Sequence, residues 1–565
     1  MDKRTVIAFV LIGLIVILMP YYMQWAIGDK PHIPPQTQTT DVSRETSPGS
    51  ESLLAESPNQ PLNLTEKFPV PEGKEIPQTA FEPQNIVIDT DVYQATISTQ
   101  GGVITSWKLK AYFDRFGNWL ELMKPNDFGL GLNIGDQSLD QIEFKTNRDR
   151  IELSGDQQDV LVLIAETNLG KIEKHLHLHG NRYRIELDLN GESLSRSDRL
   201  TLRWNGAISN TEGNPQSSGF YDENYDQVVT HAGGEMETWN VDRIKEGSAQ
   251  PSGQISWVGI RNKYFLAALI PNEGRFDLEL QGDVETNALG HALYDFHVAL
   301  KPEETGALKV AVFLGPISYD VLREQNRDFS GVQRELNLDE FMDYGPSFLR
   351  SILKPVTIMI MQAFLAIHHI VPNYGLVIIL FSLLVKIVVF PLTHKSLESA
   401  AKMQQLQPKM VEIRERYGND SQKMNQAMMK LYKDEKINPL GGCLPMLLQM
   451  PILFSLFSVF RGTIEFRQAG FIAWITDLSK PDTIPIGSVD LHVLPLLMGI
   501  SMFIQQKMTM KDPKQAALVY IMPVFLTYIF WTMSSGLVFY YTLYNVLTLA
   551  QQYIMEQTKK ITGST

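Results

Sequence analysis

Apolar and polar positions follow three regimes along the chain. Residues 6–25 form an apolar run without an acid, and from about 350 onward long apolar stretches recur. Between them, from about 81 to 330, short runs alternate apolar and polar positions: 150–154, 159–165, 171–178, 182–189, 199–204, 255–258, 276–281 and 292–300. Side chains two apart on a strand share a face. The pattern therefore predicts many short, half-buried strands separated by turns, an all-β sandwich.

The C-terminal stretches predict helices that cross a bilayer at about 374–392, 443–461, 491–507, 516–533 and 536–556. Some fall short of the usual ~20 apolar residues of a span. With the N-terminal run they make six spans. Residues 346–371 carry Arg350 and Lys354 near their start and are read as lying along the interface. In the N-terminal segment, Lys3 and Arg4 precede the apolar run. Pro20, Tyr21, Tyr22 and Trp25 follow it, where a cleavage site would want small residues. This predicts an uncleaved anchor, residues 1–27. Residues 28–80 hold many Pro, Ser, Thr and Glu and predict a disordered tether.

Charge gives the orientation. The chain carries −13 overall. Residues 346–565 hold 20 Lys+Arg against 12 Asp+Glu, or +8, which leaves −21 for residues 1–345. The loop 393–440 has nine Lys/Arg and the loop 462–490 has two. Positive charge marks the cytoplasmic side, so 393–440, 508–514 and the tail 557–565 are expected in the cytoplasm. The β block then lies across the membrane, and both termini are inside. An acidic soluble half argues against DNA as a partner. The single cysteine, Cys443, excludes an intrachain disulfide.

Loop 393–440 reads as two charged helices with single apolar stripes. Leu406, Met410, Ile413 and Tyr417 line the first, and Met424, Met428 and Leu431 the second, with a turn and N-cap at Gly418-Asn419-Asp420. Two such helices make a hairpin. Its methionines, Met403, Met410, Met424 and Met428, either pack on each other or offer adaptable contact to varied apolar segments.

The candidate chemistry centres on Lys386, inside the run GLVIILFSLLVKIVVFP. A charge at bilayer depth costs roughly 3 kcal/mol on insertion scales. Two readings fit: the ammonium snorkels to the nearer surface, or it sits in a wet, protein-lined groove. Ser382 lies one turn earlier on the same face. Tyr541, Asn545, Thr548 and Gln552, spaced four, three and four, stripe one face of the last span. Gln449, Ser455, Ser458 and Thr527 add polar groups. Such groups either bond neighbouring helices or line water. In the β block, His175, His177 and His179 alternate with Leu176 and Leu178. They are read as the solvent face of a strand, with a metal site as the sharper alternative. His231 is read as a loop histidine. No nucleophile motif or phosphate-cradling loop occurs. Neither an enzyme nor a resident metal or cofactor is expected.

Several motifs carry a family resemblance: NPLGGCLPMLLQMPILFSLF (438–457), LVKIVVFPLTHKSLESAAKMQQLQPKM (384–410), IEFRQAGFIAWITDLS (464–479), LPLLMGISMFIQQKM (494–508) and SSGLVFYYTLYN (534–545). They resemble the YidC/Oxa/Alb membrane protein insertases, in the Gram-negative form with a large periplasmic domain. The resemblance implies a polytopic α-helical membrane protein with an all-β periplasmic supersandwich, similar to sugar mutarotases, and a cytoplasmic helical hairpin. It divides the chain into the anchor 1–27, the tether 28–80, the sandwich 81–333, an interfacial region 334–373, a five-helix core 374–556 containing the hairpin 393–440, and the tail 557–565. It also implies a function, inserting and chaperoning nascent inner-membrane proteins, alone or with the Sec translocon (SecYEG, SecDF). Ribosome, signal-recognition-particle pathway and membrane lipids are further implied partners. By position, the family's groove cation falls on Lys386, its hydroxyl neighbour on Ser382 and its last-span tyrosine on Tyr541. Gln449, Asn545 and Thr548 complete the expected groove, with Phe454, Phe457, Phe525 and Phe530 as the slide for an apolar helix. The family's cation is usually arginine, and lysine lacks that planar fork. A small-solute transporter or channel is the competing class. It predicts matched broken helices, which the sequence lacks.

Overall fold

The computed structural model describes residues 81–565 except 136, 168–169, 192–199, 210, 213–225, 246–252, 273–275, 287–291, 303–307, 329–335, 346–348, 418–419, 436–443, 488, 510–515 and 563–565. The expected anchor and tether and Cys443 lie outside the described residues. The described residues up to Thr509, together with those from Leu518 onward, cluster as one compact unit.

The β block folds into two large sheets. The first contains β1 (Asn85–Asp89), β2 (Tyr93–Ser98), β3 (Val103–Phe113), β4 (Trp119–Glu121) and β5 (Phe128–Ile134). Its order runs Phe276–Thr286, Ala292–Pro302, Leu200–Asn205, β5, β3, β2, β1 and Arg150–Glu152, with β4 hairpinned onto β3. The second runs Glu235–Trp239, Gln227–Ala232, Ile255–Arg261, Phe265–Pro271, Leu308–Pro316, Arg184–Gly191, Gly170–His179 and Gln158–Thr167. Neighbours pair antiparallel except β1 with Arg150–Glu152. One apolar core holds Trp107, Leu130, Leu176 and Leu178, each fully buried.

The strand Gly170–His179 shows how parity places side chains. Ile172, Leu176 and Leu178 face the core, while the histidines lie on the other face. Each imidazole meets its own carboxylate: His175 with Glu173 at 2.9 Å, His177 with Asp188 at 3.3 Å and His179 with Glu186 at 3.4 Å. Lys174 shares the leucine face and is fully buried. Its ammonium donates to the carbonyls of Gly101, Gly102 and Leu130 at 2.8, 3.1 and 2.8 Å, which ties the two sheets together. Burial pushes it down to about 7. His231 is not in a loop. It lies on the strand Gln227–Ala232, buried and stacked on Trp257 at 5.4 Å, because its neighbours Val228 and Val229 are themselves core residues.

After α1 (Tyr319–Asp328) the chain becomes helical. The elements are α2 (Arg350–Ile370), α3 (Tyr374–Gln405), α4 (Gln407–Tyr417), α5 (Ser421–Asp434), α6 (Leu444–Gly462), α7 (Val493–Thr509), α8 (Ala516–Phe530) and α9 (Ser535–Thr562). Among the described residues, α2 and the Tyr374–Pro391 part of α3 are long and apolar enough to cross a membrane. Val493–Met508 and Val519–Phe530 are apolar but shorter. α2 packs Ile360 and Phe364 into the helical core and Met361 into the β core, so the two cores meet along it. α3 does not stop where the apolar run does. It continues to Gln405, with Pro391 inside it. Asp420 caps α5, accepting from the Lys423 amide at 3.0 Å. α4 and α5 pair through Lys409–Glu435 at 2.6 Å and through the Tyr432 hydroxyl on Met410 sulfur at 4.0 Å. Met410 is buried, whereas Met403, Met424 and Met428 are half-buried.

Candidate functional site: a buried cation between helices

Lys386 lies three turns into α3, and its face turns onto α9. The ammonium donates to the Thr548 hydroxyl at 2.8 Å and sits 4.9 Å from the centre of the Tyr544 ring. Lys386 is 8% exposed and Ser382 0%. In this conformation, then, the cation is enclosed by protein. It bonds across to a neighbouring helix rather than reaching for a surface. The Ser382 hydroxyl donates within its own helix, to the Ile378 carbonyl at 2.7 Å.

The polar stripe of α9 divides between two partners. Thr548 and Gln551 face α3, with Gln551 Nε2 3.4 Å from the Thr393 hydroxyl. Asn545 turns to α7, where Nδ2 donates to Ser501 Oγ at 3.3 Å. Tyr541 lies two turns before Thr548 on α9. Its ring meets Phe530 and Tyr540, each at 5.4 Å, and its buried hydroxyl has no hydrogen-bond partner among the described residues. The structure therefore joins Lys386 directly to Thr548, and brings Asn545 to the same helix on a second face. Gln449 is half-buried on α6 and makes no hydrogen bond to this set among the described residues. Sequence reasoning missed Tyr544, Ser501 and Gln551. A second stripe, 544–548–551, was the available signal for two of them.

The four phenylalanines expected as a slide are all half-buried. Phe457 and Phe530 pack against the helical core. α7 and α8 approach closely at Gly499: an added Cβ there would collide with the Thr527 hydroxyl, which instead donates to the Pro523 carbonyl at 2.7 Å.

A second polar constellation joins the helices to the β sandwich. Arg467, in the loop after α6, donates to Glu212 Oε1 at 2.6 Å and to the carbonyls of Phe113 and Thr211, both at 3.1 Å. Glu465 accepts from the Ser318 hydroxyl at 2.9 Å, and burial pushes its carboxyl above the usual range. The guanidinium fork suits this site because one planar group serves a carboxylate and two carbonyls.

The outer surface of the bundle is apolar. Ile387, Val388, Ile521, Val524 and Tyr528 are each at least 66% exposed. Water would penalise so much exposed apolar surface, whereas acyl chains would not. An apolar-surfaced bundle with an inward-facing cation, joined to a folded β sandwich, defines an integral membrane protein with a large extramembranous domain.

Two family models divide the chain. Residues 85–359 match the model described as YidC periplasmic domain, and 366–562 match the 60Kd inner membrane protein model. The membrane protein insertase YidC of Geotalea daltonii is 32% identical over 98% of this chain and 98% of its own. That of Syntrophus aciditrophicus is 30% identical over 99% and 100%. A solved structure, an active YidC insertase with its first transmembrane domain resolved, aligns over 84% of this chain and 94% of its own at 17% identity, TM-score 0.35. The chain belongs to the YidC membrane protein insertase family.

Proposed function

We propose that the chain inserts nascent membrane proteins into the inner membrane and chaperones them there, with the Lys386 site as the point of capture. Membership of the insertase family supports the activity. The Lys386–Thr548 bond supports the site, because it keeps a lysine enclosed at the heart of an apolar-surfaced bundle. In this reading the expected six spans hold, the β sandwich is periplasmic and both termini are cytoplasmic. Water reaches Lys386 from the cytoplasmic side when the helices part. A polar or acidic leading segment of the substrate then exchanges for the Thr548 hydroxyl as partner of the ammonium. This lowers a desolvation cost of several kcal/mol for polar peptide groups in hydrocarbon. The following apolar helix passes into lipid along Phe454, Phe457, Phe525 and Phe530. Ser382, Gln449 and Asn545 line the path, and Tyr541 closes it. The hairpin methionines Met403, Met410, Met424 and Met428 meet the emerging segment first. No bond is made or broken, so the work is binding, and no cofactor is needed. Nascent chains and lipids are the obligatory partners. The Sec translocon, the ribosome and the signal-recognition-particle pathway are occasional ones.

The test is reconstitution of the purified chain in liposomes with a short phage-coat-like substrate. Insertion without other factors, read by protease protection, is the expected result. Solute flux without insertion would instead support a small-solute transporter or channel.

A further inference from the structure

Between residues 81 and 349, the large hydrophobic side chains that stand exposed among the described residues are three: Phe113, Phe116 and Trp119, at 43%, 74% and 42%. All three lie on the β3–β4 hairpin. The rest of the sandwich buries its bulk, with Trp107, Trp239 and Trp257 all under 2% exposed. The exposed trio is therefore a local exception to the way this domain is built.

The hairpin tip is preorganised. The Asp114 carboxylate accepts from the amides of Phe116 and Asn118 at 2.8 and 2.9 Å and from Asn118 Nδ2 at 3.2 Å. Gly117 supplies the positive φ, +83°, that the turn requires. The result is a fixed platform with Phe116 at its summit. The Arg115 guanidinium lies over the Phe116 ring at 4.7 Å and makes no ion pair among the described residues. An aromatic ring with an uncompensated guanidinium beside it matches a phospholipid surface: apolar body towards the acyl boundary, cation at the phosphates.

Position supplies the second observation. The Phe113 carbonyl, where the turn leaves β3, accepts from Arg467 and from Gln468 Nε2, both at 3.1 Å. Those residues lie five and six positions past the end of α6, so the hairpin is pinned to a loop that joins two apolar helices. The same loop exposes Ile472 and Trp474. The aromatic and basic groups thus gather where helix ends and β domain meet.

We propose that the β3–β4 hairpin is a membrane-surface anchor, seating Phe116 and Arg115 in the phospholipid headgroup layer on the β domain's side of the bilayer. One aromatic makes a weak and reversible anchor. That suffices to orient a domain already held by the chain and by Arg467. The inference rests on the reading of the bundle as membrane-embedded, so the test carries an internal control for it.

The full chain, with Cys443→Ser removing its single cysteine, is reconstituted in nanodiscs of phosphatidylethanolamine and phosphatidylglycerol. Phe116→Cys, Lys171→Cys and Val524→Cys are labelled one at a time with an environment-sensitive fluorophore. Val524, 72% exposed on α8, reports on the bundle. Lys171 lies towards the opposite end of the sandwich, beyond Lys174, which bonds to Gly101 and Gly102 at the start of β3. β3 alone spans roughly 35 Å. Nitroxide-bearing lipids are expected to quench the labels at 116 and 524 and to spare the label at 171. Quenching at 524 with none at 116 overturns the anchor and leaves the bundle reading intact. Absence of lipid quenching at both positions overturns both. Shielding of the label at 116 from iodide only when another protein is added, without lipid quenching, assigns the hairpin to a protein partner and also overturns the proposal.

Discussion

The Lys386 ammonium donates to the Thr548 hydroxyl at 2.8 Å, while that hydroxyl donates in turn to the Tyr544 carbonyl one helical turn back, at 2.7 Å. The hydroxyl's proton is thereby committed to its own helix and its lone pair to the lysine. A threonine serves here where an aliphatic residue of the same shape cannot, and the bond within α9 leaves the hydroxyl to accept from a donor across the interface.

Thr548→Val keeps the shape and removes the acceptor. Leaving a buried charged donor without it costs about 1–3 kcal/mol, and the variant is expected to lower the unfolding midpoint of the purified chain in detergent. Lys386→Arg is expected to retain insertion. Lys386→Glu should slow insertion of substrates with acidic leading segments by roughly tenfold, the equivalent of ~1.4 kcal/mol, while sparing substrates with basic ones. Equal rates on both substrate types in the liposome assay would refute capture by charge.

Asn545 contributes less. Its bond to Ser501 is a neutral interhelical pair at 3.3 Å, and such pairs average ~0.6 kcal/mol in membranes. Asn545→Leu should therefore shift the unfolding midpoint slightly and leave insertion close to wild type. A collapse of activity comparable with Lys386→Glu would make Asn545 a part of the capture step itself rather than a residue lining the path.

Arg467 holds the junction between bundle and sandwich. Arg467→Ala takes the donor from the Thr211 carbonyl, leaves the Phe113 carbonyl to Gln468 and loosens Glu212, a loss of about 3 kcal/mol. Lysine cannot restore the fork. Limited proteolysis should cut the loop 463–482 faster in both Arg467→Ala and Arg467→Lys. The double variant with Glu212→Gln should fall short of the sum of the single effects, since the two residues share one bond.

Glu465 makes that junction sensitive to pH. Burial raises its folded pKa above the ordinary 4.5. A folded acid with a raised pKa adds stability fully present below the unfolded pKa and lost as pH rises through the folded one. The junction should tighten as pH falls from neutral towards 4.5. Glu465→Gln keeps an acceptor for Ser318 and carries no charge, so it should raise stability at pH 7 and flatten the profile. A profile unchanged by the substitution, measured by loop proteolysis across that range, would remove Glu465 as its source.

How much the sequence reveals depends on how many faces of an element are covered. The strands Gln158–Thr167 and Gly170–His179 bury one face only, and their alternation shows it. Phe265–Pro271 and Leu308–Pro316 are buried almost throughout. On the second sheet's other face lies the segment 336–344, where Phe341 packs on Trp257 at 4.2 Å and the Leu336 carbonyl accepts the Trp257 indole proton at 2.6 Å. Those strands lose their period of two and escape a pattern search. Lys174 escaped because its parity, not its charge, put it in the core. Lys386 was legible as the one cation in a long apolar run. Its ring partner Tyr544 was not, since a tyrosine in an aromatic-rich helix carries no mark of what it faces. The Arg467 clasp was invisible because Glu212 lies 255 residues away, and no local pattern announces a contact of that separation.

Pro391 sits five residues beyond Lys386 in α3. It offers no amide proton to the Ile387 carbonyl and crowds the preceding turn, the usual origin of a bend. Beyond it Thr393 still accepts from Gln551 of α9 at 3.4 Å, while Lys386 on the near side holds Thr548, so α3 stays bonded to α9 on both sides of the proline. A proline set between two such anchor points lets a long helix curve without parting from its neighbour.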